Sequence, residues 1–122
     1  MVISGTCGNQ KVSSLDALLR LLRNSRKGNF GEFWLGEKDS PVMVIHTNGD
    51  LAYLHYFPAN DHPGFQAVGD KAANGEVTFT QEGEVDFSMP LAVVVSVNQA
   101  YQAATAFFQS PSLPSCIEWT EL

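Results

Sequence analysis

The stretch VMVIHTNGDLAYLHYF, residues 42–57, decides the fold. Its residues alternate with a period of two on either side of Asn48-Gly49, which is the pattern of side chains pointing to opposite faces of a sheet. Asn-Gly accepts the positive φ of a two-residue primed turn, so the stretch predicts a hairpin of strands 42–47 and 50–57, with Thr47 opposite Asp50 and His46 opposite Leu51. That pairing puts Val42, Val44, His46, Leu51, Tyr53, His55 and Phe57 on one side. Met43, Ile45, Ala52, Leu54 and Tyr56 fall on the other. Both sides are largely apolar, so this hairpin is expected to sit at the centre of a sheet covered twice.

Outward from the hairpin, residues 30–36 alternate as a further strand, 58–63 read as a loop, 64–69 as a short strand and 70–75 as a second loop. A second hairpin follows, with strands 76–80 and 84–88 around Gln81-Glu82-Gly83, where Gly suits the third position of a bulged turn. Its apolar side carries Val77, Phe79, Val85 and Phe87, and its outer side carries Glu76, Thr78, Thr80, Glu84, Asp86 and Ser88. Residues 91–95 read as a buried strand, and Ile117 and Trp119 alternate in a last one.

Two helices frame these strands. Leu15, Leu18, Leu19 and Leu22 repeat at helical spacing over 14–27, with Ser13 and Asp16 as cap and Gly28 as terminator. Asp16, Arg20, Arg23 and Lys27 form the opposite, solvated face. Ser96 and Gln99 make a capping box for a helix reaching about Gln109, with Val97, Ala100, Tyr101, Ala104 and Phe108 inward and Pro111 beyond its end. The order predicts an α+β domain with a mainly antiparallel sheet and two principal helices, spanning 1–122, in which residues 1–12 have no defined element. A chain of 122 residues with 44% apolar composition is sufficient for one core of its own.

Charge narrows the function. The net charge is -6, and it is unevenly spread: residues 1–38 hold six bases and three acids, whereas 39–122 hold Lys71 against ten acids. Nucleic-acid affinity depends on Lys and Arg displacing counterions from phosphate, so direct DNA or RNA binding is disfavoured and a basic partner is favoured. The longest apolar run is too short to cross a bilayer and the first ten residues lack a signal-peptide pattern, so a cytoplasmic protein is expected. Cys7 and Cys116 form no disulfide framework and no zinc-type cluster; they are expected as thiols, their pairing left open.

Chemistry is weakly signalled. On the expected register His46 and His55 stand four positions apart, about 13 Å along the strands, too far to share an ion. His62, between Asp61 and Pro63, reads as loop polarity, so no metal or other cofactor is expected. Glu84 and Asp86 have no neighbour to tune them for acid–base work, and no phosphate loop or nucleophile elbow occurs. Trp34, Tyr53, Tyr56 and Phe57 are read as packing.

The order of motifs is informative. An Asn48-Gly49-Asp50 turn, Tyr53-x-His55-Tyr56 and Pro63-Gly64-Phe65 follow one another, and Phe87, Pro90, Ala100, Ala104, Phe107, Phe108, Pro114 and Ile117-Glu118-Trp119 close the chain. Over roughly residues 14–122 this resembles immunity protein family one of bacterial polymorphic toxin systems. The resemblance implies a non-enzymatic cytoplasmic inhibitor that binds a cognate toxin domain, often a nucleic-acid-directed deaminase or nuclease, and blocks its active or substrate-binding surface. The acid excess supplies candidate partner-binding residues in Glu82, Glu84 and Asp86, with Asp50, Asp61 and Asp70 in addition, and Phe65 beside His62 as an apolar anchor. The competing reading is a small-ligand module or unrecognised enzyme using the aromatic hairpin face, with a pocket near Tyr53 and His55. A purely structural adaptor is a third.

Overall fold

The computed structural model describes residues 1–122 except 38, 40 and 82–84. In chain order the first half holds β1 (Val2–Gly5), β2 (Gln10–Lys11), α1 (Leu15–Asn24), β3 (Phe30–Gly36), β4 (Val42–Asn48) and β5 (Leu51–Phe57). The second half holds β6 (Phe65–Ala67), β7 (Glu76–Gln81), β8 (Val85–Pro90), β9 (Val95–Ser96), α2 (Val97–Gln109) and β10 (Trp119–Glu121). All strand pairs are antiparallel, in the order β10-β6-β5-β4-β3-β1-β2 with β9 also on β5, while β7 and β8 pair separately. The chain is thus α+β, as its pattern implies.

The central hairpin keeps its expected faces but not its expected register. Asn48 pairs with Leu51, Thr47 with Ala52 and His46 with Tyr53, so Gly49-Asp50 forms the turn. A displacement of two preserves which side each residue faces, because side chains alternate with that period. The turn is fixed from several sides: Gly49 sits at φ 59, Asn48 Nδ2 donates to the Thr78 carbonyl (2.9 Å), and the Val97 N–H donates to the Asp50 carbonyl (2.8 Å). The second hairpin is displaced in the same way, with Gln81 opposite Val85 and Thr80 opposite Asp86. Val85 is 60% exposed at its tip, not inward as expected.

One face of the sheet is fully occupied. Phe33, Leu35, Met43, Ile45, Leu54 and Tyr56 pack with Leu18 and Leu22 of α1 and with Ala100, Ala103, Ala104 and Phe107 of α2 in one core. Small alanines let α2 lie close to the sheet, and burying each large side chain contributes roughly 1.5–3 kcal/mol. The opposite face meets β7 and β8, where Phe79 is wholly buried with Tyr53 and Val94. The expectation of two covers therefore holds, but the covers are of unequal extent.

Several boundaries depart from the sequence pattern. Residues 1–12, read as undefined, supply β1 against β3 with Ile3 fully buried. Gly5 makes this possible, since a Cβ there would collide with the Glu32 carbonyl. Ser14, not Ser13, caps α1 by accepting from the Ala17 N–H (3.2 Å), and the helix stops at Asn24. Gly28, at φ 63, serves a tight turn in which Lys27 and Phe30 exchange backbone hydrogen bonds. Residues 91–95 are a 3₁₀ turn over Leu91–Val93 followed by β9, because the chain must bend to bring Ser96 beside Leu51. α2 begins with the expected capping box of Ser96 and Gln99, but its fully buried side is Ala100, Ala103, Ala104 and Phe107.

Arg26 is released from α1 and joins three elements. Its Nη1 donates to the Gly49 carbonyl (2.7 Å) and its Nη2 to the Tyr101 hydroxyl (3.0 Å), tying the hairpin turn to α2. Hydrogen bonds to a charged donor contribute about 1.5–3 kcal/mol. Arg26→Ala is accordingly expected to lower the unfolding free energy by about 2 kcal/mol. Arg26→Lys should recover little of it, since an ammonium cannot bridge both acceptors as a planar fork does. Urea unfolding of the three proteins checks this.

Candidate functional site

The partly covered sheet face carries the candidate site, an open groove. Pairing across β3, β4 and β5 sets Glu32, His46 and Tyr53 in one row, Trp34, Val44 and His55 in the next, and Gly36, Val42 and Phe57 in a third. The β7–β8 hairpin lies over one end of these rows through Phe79 and Phe87, and the Trp34–Phe57 end remains open as a groove of about 270 Å³. Trp34 is 42% exposed there. A groove near Tyr53 and His55 is where the aromatic hairpin reading placed one.

Each wall is held in place. The Trp34 indole N–H donates to Glu32 Oε1 (3.3 Å). His55 stacks on Phe57 at 4.1 Å between ring centroids, and its Nε2 donates to the Pro63 carbonyl (2.9 Å). Gly64 leaves room for that ring, since a Cβ there would meet His55 Nε2 and the Tyr56 carbonyl. The Tyr53 hydroxyl donates to Gln66 Oε1 (3.0 Å), and burial pushes its pKa up.

His46 lies at the floor of the groove. Its ring meets Phe87 edge-on at 4.9 Å and stacks near Tyr53 at 6.3 Å. Burial lowers its pKa, outweighing the opposite pull of Glu32 and of a hydrogen bond with the Thr80 backbone. Among the described residues its buried Nδ1 has no hydrogen-bond partner. The corrected register also brings His46 and His55 within two positions, about 7 Å along the strands, instead of four. Among the described residues no group of three His, Cys, Asp or Glu could hold a metal ion, and Cys7 and Cys116 are free thiols.

The acidic candidates are dispersed. Asp50 is exposed in the β4–β5 turn, Asp61 in the loop before β6, and Asp70 after β6, where its Oδ1 accepts from the Ala72 N–H (3.0 Å). Asp86 is exposed on the outer side of β8 and accepts from the Thr80 hydroxyl (3.0 Å). Glu82 and Glu84 lie outside the described residues. His62 and Phe65 are engaged within the chain: the His62 Nε2 meets Glu121 at 2.8 Å, its Nδ1 accepts from the Gly64 N–H, and its ring stacks on Phe65. Phe65, expected as an anchor on a loop, opens β6 and packs half-buried against Tyr56, because strand pairing with Tyr56 and Glu121 draws it inward. The groove floor was not named from sequence. Alternation does put Glu32 and Trp34 on one side of β3, but nothing in residues 37–41 fixes how β3 pairs with β4.

One sheet face is committed to a helical core, and the other is left with an open aromatic groove. The chain belongs to the Immunity protein Imm1 family, whose model matches residues 10–121. It is also similar to a double-stranded DNA deaminase immunity protein of Burkholderia cenocepacia (strain H111), 28% identical over 120 residues and covering 94% of each chain.

The lowered His46 pKa has a stability consequence. Between its folded value and its usual 6.5 the unfolded chain binds a proton that the folded chain refuses, so stability falls as pH drops through 6.5 and levels off below the folded value. Unfolding measured between about pH 7.5 and about pH 5 should show this loss, and His46→Phe should flatten that segment of the profile.

Proposed function

We propose that the chain neutralises a toxin by binding it: it occupies one toxin domain, a deaminase acting on nucleic acid, and blocks its active or substrate-binding surface without turnover, inside the cytoplasm. Membership of the immunity family and the name of the Burkholderia relative support the class of partner. The observation that carries the reading is the charge. Ten acids against one base follow residue 38, and an enzyme that handles a phosphate backbone must present a basic surface. The two surfaces attract, and such steering raises association rates by roughly 10- to 1,000-fold.

Asp86 with Glu82 and Glu84 supplies the nearest cluster of acids in sequence, while Asp50, Asp61 and Asp70 sit in separate loops and add to a distributed field. Retention needs more than charge. A standard interface buries roughly 800 Å² per partner around apolar anchors, and the open sheet face with Trp34 exposed offers them. The small-ligand reading finds a groove in the expected place, but this groove is open and slightly below the roughly 300–1,000 Å³ of small-molecule clefts.

Replacing Glu84 and Asp86 by Lys is expected to slow association with the toxin roughly 10-fold at low salt and to flatten its salt dependence. Stopped-flow association over a salt series is the check. An unchanged rate for the variant would remove charge steering from the account, and failure of the wild-type chain to bind or inhibit any toxin domain would remove the immunity reading itself.

A further inference from the structure

We propose that the outer edge of β8 pairs with an extended segment of the bound toxin, an added strand that sets basic side chains beside Asp86 and Ser88 and apolar ones beside Phe87 and Met89. This rests on the reading of the chain as a toxin-binding protein and names the form in which the partner's backbone is held.

The edge is located residue by residue. In an antiparallel pair the N–H and C=O of one residue both point toward the partner strand, and those of the next both point away. On β7 the outward positions are fixed by what they touch: the Thr78 carbonyl accepts from Asn48 Nδ2 (2.9 Å), and the Thr80 backbone hydrogen-bonds with His46. The inward phase is fixed at the foot of the hairpin, where the Leu91 N–H donates to the Gly75 carbonyl (2.9 Å). Thr78 lies opposite Ser88, Thr80 opposite Asp86 and Glu76 opposite Pro90, so the outward groups of β8 belong to Asp86, Ser88 and Pro90. Pro90, which has no N–H, stands where β7 asks for none. The Thr78–Ser88 and Thr80–Asp86 side-chain hydrogen bonds, both 3.0 Å, fit the closer side chains of such non-hydrogen-bonded pairs.

The two edges of the hairpin therefore differ. That of β7 is spent on β4. Among the described residues β8 pairs with β7 alone, and Asp86, Ser88 and Pro90 are exposed. Their outward main-chain groups select an extended backbone, because only another strand matches their spacing. Charge then selects whose strand it is. A second copy of this chain would bring its own Asp86 to the same edge, between two chains of net charge -6. A basic toxin brings the opposite sign to Asp86 on the outer side of β8. On the inner side Phe87 and Met89 line the groove with Trp34 and Phe57, so apolar residues of the added strand continue a surface that is already apolar.

The test uses the full isotope-labelled chain and, as probe, the deaminase toxin domain that it inhibits, carrying an inactivating substitution. Amide hydrogen exchange is followed by NMR in the free chain and in the complex. The Asp86 and Ser88 N–H groups are expected to slow on the order of 100-fold on binding. Ser88→Pro removes an outward donor without touching the ladder to β7 and should speed dissociation on the order of 10-fold, whereas Ser88→Ala keeps the N–H and should dissociate as the wild type does. If Ser88→Pro does not fold, exchange in the wild-type complex decides. If the wild type binds the toxin and these two amides exchange as fast as in the free chain, or if folded Ser88→Pro dissociates no faster than Ser88→Ala, the edge proposal falls and the immunity reading stands. Protection that rises with the concentration of the chain alone gives the edge to a second copy and overturns the proposal. If the wild type binds no toxin domain, both fall.

Discussion

The structure depends on a sheet whose central strands are apolar on both faces. Strands β4 and β5 place Met43, Ile45, Leu54 and Tyr56 on one side and Val44, Tyr53 and Phe57 on the other, so neither side can be left entirely to water. The two helices settle the first side completely. On the second, a short hairpin covers Tyr53 through its own Phe79 and ends, leaving Trp34, Phe57 and their neighbours at the surface. The proposed docking surface follows from that inequality: an incompletely covered aromatic face is costly unless something else completes it.

How much of this was legible follows from how far each signal reaches along the chain. Alternation is local, so the faces of β4, β5, β7 and β8 were readable, and they survived a register displaced by two because the period is two. Turn position was less secure. Asn48 spends its side chain on Thr78, thirty residues away, and the turn moves on to Gly49-Asp50. β1 has too few residues to show a period, and its place beside β3 rests on Gly5 and Ile3 meeting a strand that sequence order does not put next to it. The end of α1 was misplaced because Gly28 signals a left-handed residue without saying whether it closes a helix or a tight turn. For the site, the aromatic composition of the hairpin was evident, whereas the row Glu32–His46–Tyr53 required two strand pairings to assemble. The strand at 64–69 is legible from alternation, but its partners are not: Phe65 pairs with Tyr56 and with Glu121 at the far end of the chain.

The charges complete the picture. Several bases of the first third are engaged within the chain: Arg20 pairs with Asp16 at 3.4 Å, Arg23 lies over the Tyr101 ring at 5.3 Å, and Arg26 binds Gly49 and Tyr101. Lys71, the one base after residue 38, pairs with Glu118 at 2.8 Å. The surface that remains is dominated by carboxylates in separate loops and on the outer side of β8, an arrangement that would draw in the basic partner proposed above.

The central claim, that the helix-covered face is structural and the open face is where a partner docks, is tested most directly by hydroxyl-radical footprinting of side chains in the free chain and in its complex with the toxin. The account predicts protection of Trp34, Phe57 and Met89 with the reactivity of Leu19, Leu21 and Phe108 unchanged. Protection confined to α1 and α2, with Trp34 as reactive in the complex as in the free chain, would contradict it.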